Sequence, residues 1–138
     1  MLFLQAAWRR LVETGGVLTG KWKQRVYACD PEGRWSVVKE DCVWCRQKGE
    51  LVRADIRRQI PVGETRRKWH FSGRFREGVL FGHFWSKDPR YPSFGTIFLR
   101  QTDPKRFSGF YIRLTKVIQS WGTDHVQIER VPLEWLED

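Results

Sequence analysis

The run Lys68-Trp69-His70-Phe71-Ser72-Gly73-Arg74-Phe75-Arg76 decides the fold. Trp69, Phe71, Gly73 and Phe75 alternate with Lys68, His70, Ser72, Arg74 and Arg76, and a period of two is what a strand with one buried face requires. Working outward, the run that begins Gly20-Lys21-Trp22 repeats the logic. Gly20, Trp22, Val26 and Ala28 share one face, Lys21, Lys23, Arg25 and Tyr27 share the other, and Gln24 alone interrupts the apolar set. A third run turns Val52, Ala54, Ile56 and Ile60 inward and carries Arg58 with them.

From residue 17 onward the chain divides into eight extended runs: Val17–Cys29, Trp35–Arg46, Leu51–Ile60, Arg67–Arg76, Val79–Lys87, Phe94–Gln101, Phe107–Thr115 and His125–Leu133. Turn chemistry separates them: Asp30-Pro31-Glu32-Gly33, Lys48-Gly49, Pro61-Val62-Gly63, Glu77-Gly78, Asp88-Pro89, Asp103-Pro104-Lys105 and Gly122-Thr123-Asp124. These links are too short for parallel crossovers, so consecutive strands pair antiparallel. Closure of such a meander removes both exposed edges, which favours a barrel over an open sandwich. The expectation is all-β: an eight-stranded antiparallel up-and-down β-barrel over residues 17–138, preceded by a short N-terminal helix within residues 1–16, with Leu2, Ala6 and Leu11 packed on the domain. The second, fifth and sixth runs are apolar on both faces, and alternation assigns neither face to the core.

Aromatic residues recur two places after glycine, as Gly20/Trp22, Gly73/Phe75, Gly82/Phe84 and Gly109/Tyr111. The two residues share a face of the strand, so each glycine is expected to leave room for a large ring inside a small barrel. With eight Trp, nine Phe and three Tyr, rings dominate the core.

The formal charge of +9 and pI near 9.9 favour anionic partners: a nucleotide, a nucleic acid or a lipid headgroup. No signal-peptide pattern opens the chain and no stretch has the length of a membrane helix, so a cytoplasmic protein is expected. Membrane contact would need a segment upstream, of which Leu2 to Trp8 could be the stub. Three cysteines, Cys29, Cys42 and Cys45, fit a reducing compartment. Cys42 and Cys45 lie three apart on a strand and so face opposite ways; a zinc site adding Cys29 and one histidine is the alternative to ordinary thiols. No cofactor is expected. Nor is an enzyme: His70, His83 and His125 lie in separate strands without a nucleophile or orienting acid beside them, and there are no paired carboxylates or Gly-rich phosphate loop.

The Gly20-x-Trp22 element resembles the signature of the calycin barrels, the superfamily of lipocalins, fatty-acid-binding proteins and avidins. That resemblance implies that Trp22 closes one end of the barrel and that a basic residue of a late strand, here Arg130, lies across it. The chain lacks a lipocalin-type disulfide, and its inner faces are more charged than a lipid pocket requires. A second, narrower resemblance joins Phe84 to Leu99 and the Ser108-Gly109-Phe110-Tyr111 run to the β-barrel receptor domain that senses cyclic dinucleotides in bacterial antiphage signalling. It implies a cyclic di- or oligonucleotide ligand.

Such a ligand presents flat bases and anionic phosphodiesters, which call for rings and guanidinium groups together. The candidate binding residues are Arg58, Trp69, Tyr111 and Arg113 on inner faces, with Lys87, Arg90, Tyr91 and Thr96 at a rim. An inward arginine needs an internal carboxylate, water or an anionic ligand, unless it reaches solvent at a strand end. Other readings are a carrier of apolar ligands, or a nucleic-acid or protein-binding module using the outward Lys21, Lys23 and Arg25 or Lys68, Arg74 and Arg76. A homo-oligomer is compatible with any of them.

Overall fold

The computed structural model describes residues 17–90, 92–120 and 123–138, with side chains described outside 114–127. The expected N-terminal helix therefore lies outside the described residues, as does Tyr91.

Eight strands close into one antiparallel barrel in sequence order. They are β1 (Gly20–Cys29), β2 (Trp35–Lys48), β3 (Leu51–Ile60), β4 (Lys68–Arg76), β5 (Val79–Ser86), β6 (Phe94–Asp103), β7 (Arg106–Ser120) and β8 (Thr123–Glu137). The seam is made by β1 and β8, paired from Trp22↔Glu137 to Val26↔Leu133. On its outer surface Glu134 accepts a hydrogen bond from the Tyr27 hydroxyl and lies 3.9 Å from Arg25 and 3.7 Å from Arg106, so one carboxylate ties β8 to β1 and β7. Burial, then the bond to Glu134, raises the Tyr27 phenol above its ordinary range. β7 and β8 run further than the sequence suggests, pairing as far as Ser120↔Thr123 beyond the end of β6.

The inner faces follow the alternation except beyond the register shifts at the ends of β1 and β3, where Ala28 and Ile60, expected inward, are exposed. Trp22 and Val26 of β1, Val52, Ala54 and Ile56 of β3, and Trp69 and Phe71 of β4 are buried as expected. The structure also assigns the three ambiguous strands: Asp41, Val43, Cys45 and Gln47 face inward on β2, Leu80 and Phe84 on β5, and Ile97 and Leu99 on β6. Cys45 is buried and Cys42, on the opposite face, half-buried; burial pushes the Cys45 thiol up to about 12. Cys29 is exposed.

One end of the barrel is plugged. Leu18 is fully buried there, its N–H donating to Gln47 Oε1 at 3.1 Å while its carbonyl accepts the Trp22 indole N–H at 2.8 Å. Phe107 meets Trp22 edge-on at 5.4 Å between centroids. Trp22 does close this end, but Arg130 does not lie across it. The inward positions of β8 are Val131, Leu133 and Trp135, which puts Arg130 outside, its guanidinium 4.0 Å above the Phe110 ring.

The glycines also differ in detail from expectation. A Cβ on Gly20 would meet nothing within 4 Å, and what that position requires is its φ of +134°. Gly73 and Gly82 are cross-strand partners and do make room, but for Phe71: Cβ atoms there would lie 2.7 and 2.8 Å from its Cζ and 2.3 Å from backbone carbonyls. The ring covering Gly73 is thus the one two places before it. Strand coiling in a narrow barrel brings the backbones this close.

Candidate anion site at the barrel mouth

The opposite end is open and polar. Its floor is a row of four side chains, each belonging to a cross-strand pair with the next: Trp135↔Gln24, Gln24↔Asp41 and Asp41↔Arg58. Trp135 Nε1–H donates to Gln24 Oε1 at 2.8 Å, Gln24 Nε2 donates to Asp41 Oδ2 at 2.7 Å, and Arg58 Nε donates to Asp41 Oδ1 at 2.6 Å. The β2–β3 register, unbroken from Lys48↔Leu51, sets the carboxylate opposite Arg58, and a register shift follows only beyond it, between Asp41 and Glu40. Gln24, the polar interruption in the first strand, thereby bridges an indole and a carboxylate, and closure of the seam is what supplies the indole.

Arg58 does not reach solvent: it is 5% exposed. Its Nη1 donates to Glu64, which sits on a one-turn 3-10 helix (Val62–Glu64) between β3 and β4. Its neighbour Trp69 was expected from the sequence; its two carboxylates were not. Asp41 lies on a strand whose faces the sequence could not assign, and Glu64 on a link read simply as a turn. Burial raises the Asp41 carboxyl above the usual carboxylate range, against the lowering by Arg58 and Gln24.

Above this floor the mouth is lined by Trp69, Tyr111, Arg113, Arg67 and Lys39, with Phe84 and Ile97 below. Arg58 and Arg67 both lie against the Trp69 ring, 5.0 and 5.1 Å from its centroid. Tyr111 packs edge-on against Phe84 at 5.7 Å, and burial raises its phenol above the ordinary range. Arg113 pairs with Glu129 across the β7–β8 ladder, Nη2 to Oε2 at 2.7 Å. Arg67 lies 3.9 Å from Glu64. Lys39 is half-buried and has no hydrogen bond or ion pair among the described residues. Its ammonium is held below the ordinary lysine range first by burial and then by Arg58, with Arg113 and Arg67 adding to the effect against Glu64. The depression encloses about 480 Å³ including space open to solvent, but only about 40 Å³ of it is accessible to the centre of a water molecule.

Arg58, Trp69, Tyr111 and Arg113 therefore converge as expected, and Lys39, Asp41, Arg67 and Glu64 complete the site. Three expected rim residues do not join it. Thr96 is exposed on the outer face of β6. Lys87 is held outside by Asp55, at 2.6 Å, beside His70. Arg90 binds Asp88 and, with Arg57, Arg66 and Lys68, lines a separate open cleft that Arg58 touches from within. Among the described residues no group of three or more His, Cys, Asp or Glu is arranged to hold a metal ion.

No family model matches the chain, and no curated protein matches it. A solved structure of a redesigned β barrel is similar in fold, with a TM-score of 0.57 and 8% identity over 91% of this chain and 96% of that one. The likeness is one of architecture alone. Among the described residues no helix is long and apolar enough to cross a membrane, a statement that does not bear on spanning by strands.

Proposed function

We propose that the barrel binds an anionic small molecule at its open mouth, with Trp69 and Tyr111 as stacking surfaces and Lys39, Arg67 and Arg113 as charge partners. Lys39 carries the reading. Among the described residues four cations, Lys39, Arg58, Arg67 and Arg113, face three carboxylates, Asp41, Glu64 and Glu129, and the unmatched charge falls on a half-buried ammonium that none of them pairs. A desolvated, unpaired cation is costly unless an anion completes it. Arg58 is already satisfied by two carboxylates, so its part is to hold the floor and the Trp69 ring in place.

The water-sized space below the mouth is too small for a nucleobase, so the ligand rests across the opening, where the long side chains of Lys39, Arg67 and Arg113 can swing aside. The same fact disfavours a carrier of apolar ligands, because Trp22, Trp135, Phe71 and Phe107 occupy the closed half of the interior. A cyclic di- or oligonucleotide has the required flat faces and phosphodiesters, and the resemblance of Phe84 to Leu99 to a receptor barrel makes it the first ligand to test.

The test is a thermal-shift panel of cyclic dinucleotides, mononucleotides, inorganic phosphate and fatty acids on the native protein and Lys39→Met. A ligand at a hundred times its dissociation constant stabilises by about 2.7 kcal/mol. The native protein should respond to nucleotides. Lys39→Met should melt higher than native without ligand and respond weakly or not at all. A shift with fatty acids alone, or an undiminished nucleotide response in Lys39→Met, rejects the site.

A further inference from the structure

The outer wall of the barrel carries an unexplained aromatic row. Cross-strand pairing sets Arg74, Phe81, Phe98 and Phe110 side by side on β4, β5, β6 and β7, all outward, with Pro132 of β8 next in line. Phe81 and Phe98 are 41% and 42% exposed, and Phe98 stacks on Phe110 at 5.7 Å and 20°. Nearer the mouth, Trp85 and Phe94 form a second exposed cross-strand pair, with His83 stacked against the indole at 5.1 Å. A soluble sheet face ordinarily covers such rings or replaces them with polar residues.

The charged side chains set beside the row on these strands are arginines. Arg74 begins it, Arg76 and Arg100 occupy the next level toward the plugged end, and Arg130 lies over Phe110 on the other side. None of the described outward positions of β4, β5, β6 or β7 between Lys68 and Ile112 holds a carboxylate, apart from Asp103 at the end of β6. Glu50, from the β2–β3 turn, reaches Arg74 and Arg76 at one corner, and Glu134 is engaged at the seam.

We propose that this outer face of β4 to β7 is a binding platform for single-stranded nucleic acid, with bases stacked on Phe98, Phe81 and Trp85 and phosphates met by Arg74, Arg100 and Arg130. Adjacent strands set the Phe98 and Phe110 rings 5.7 Å apart, a separation over which successive bases of an unpaired strand can be laid down. Rings interleaved with arginine on an open sheet suit a polyanion with flat apolar faces; duplex DNA, whose bases are stacked inside, offers only its phosphates. A second copy of the chain is disfavoured because it would set Arg74, Arg100 and Arg130 against their own kind in a protein already at +9. A lipid bilayer is disfavoured because the Phe row is one residue deep between Arg76 and Arg100 on one side and Ser72, His83 and Thr96 on the other. This platform is separate from the mouth and stands whether or not the mouth binds an anion.

The experiment is fluorescence anisotropy with labelled oligothymidylate of about 20 nucleotides, and with a duplex of equal length, over a salt series. Trp85→Ala, Phe98→Ala and Arg100→Ala are exposed substitutions, checked for folding by circular dichroism, and Lys39→Met serves as the mouth control. The single strand should bind more tightly than the duplex. Each ring variant should weaken it by roughly tenfold. Arg100→Ala should flatten the salt slope by about one ion, and Lys39→Met should bind as native. Equal binding of duplex and single strand, or ring variants that bind as well as native, would overturn the proposal. So would a platform that dimerises or binds anionic phosphatidylserine vesicles through the same rings while leaving the oligonucleotide unbound.

Discussion

Removing the charge of Asp41 should be among the most damaging single substitutions in this barrel. The Arg58–Asp41 pair is dry, with side chains 6% and 1% exposed, so Asp41→Asn leaves a buried guanidinium with Glu64 as its remaining anion. Breaking a buried pair from one side costs about 3–5 kcal/mol, and the surviving Glu64 contact points to the lower end, about 3 kcal/mol. An unfolding entropy of about 2.1 cal/mol/K per residue over 138 residues converts this to a fall in Tm of roughly 10 °C. Urea unfolding followed by tryptophan fluorescence should show a lower midpoint with an unchanged m value. Removing both charges, as Asp41→Leu with Arg58→Met, should recover most of the loss, because no buried charge is then left alone. If Asp41→Asn lies within about 0.5 kcal/mol of native, a typical harmless surface change, or if the double variant is no better than the single one, Asp41 does not compensate the buried Arg58 charge.

Gly82→Ala would drive a Cβ to 2.3 Å from the Ser72 carbonyl and 2.8 Å from Phe71 Cζ, so a loss of about 3 kcal/mol or more, or failure to fold, is expected from the same unfolding assay. The outer-face Asp55 carboxyl is held below the usual range first by its hydrogen bond to Lys87 and also by His70 and Arg46. A lowered folded-state value means its contribution is present above the unfolded pKa and lost as pH falls through the folded one. Unfolding midpoints measured from pH 7 into acid should therefore fall less steeply in Asp55→Asn than in native protein; an identical slope would show the pair to be inert.

Much of this barrel was legible without coordinates. Alternation in β1, β3 and β4 fixes which residues face inward wherever one face is polar, and the short turns enforce antiparallel neighbours, so strand order and the inward placement of Trp22, Arg58 and Trp69 follow from local pattern. Arg130 shares a face with Ile128, whose apolar side chain suggests the interior from sequence, but Ile128 is 62% exposed and that face is the outer one. β2, β5 and β6 are apolar on both faces, and there alternation carries no information about which side is dry.

Closure and register decided the rest. Asp41 became the partner of Arg58 through the pairing of β2 with β3, and Gln24 met Trp135 because the last strand returned to the first. Lys39 became an unpaired cation only when the mouth gathered Arg58, Arg67 and Arg113 around it. The Phe81–Phe98–Phe110 row exists only across strands, since no two of these rings are neighbours in sequence. A chain's own order encodes what alternates along one strand. What lies beside it on the next strand is a property of the pairing, and both the mouth and the outer platform are made of such pairs.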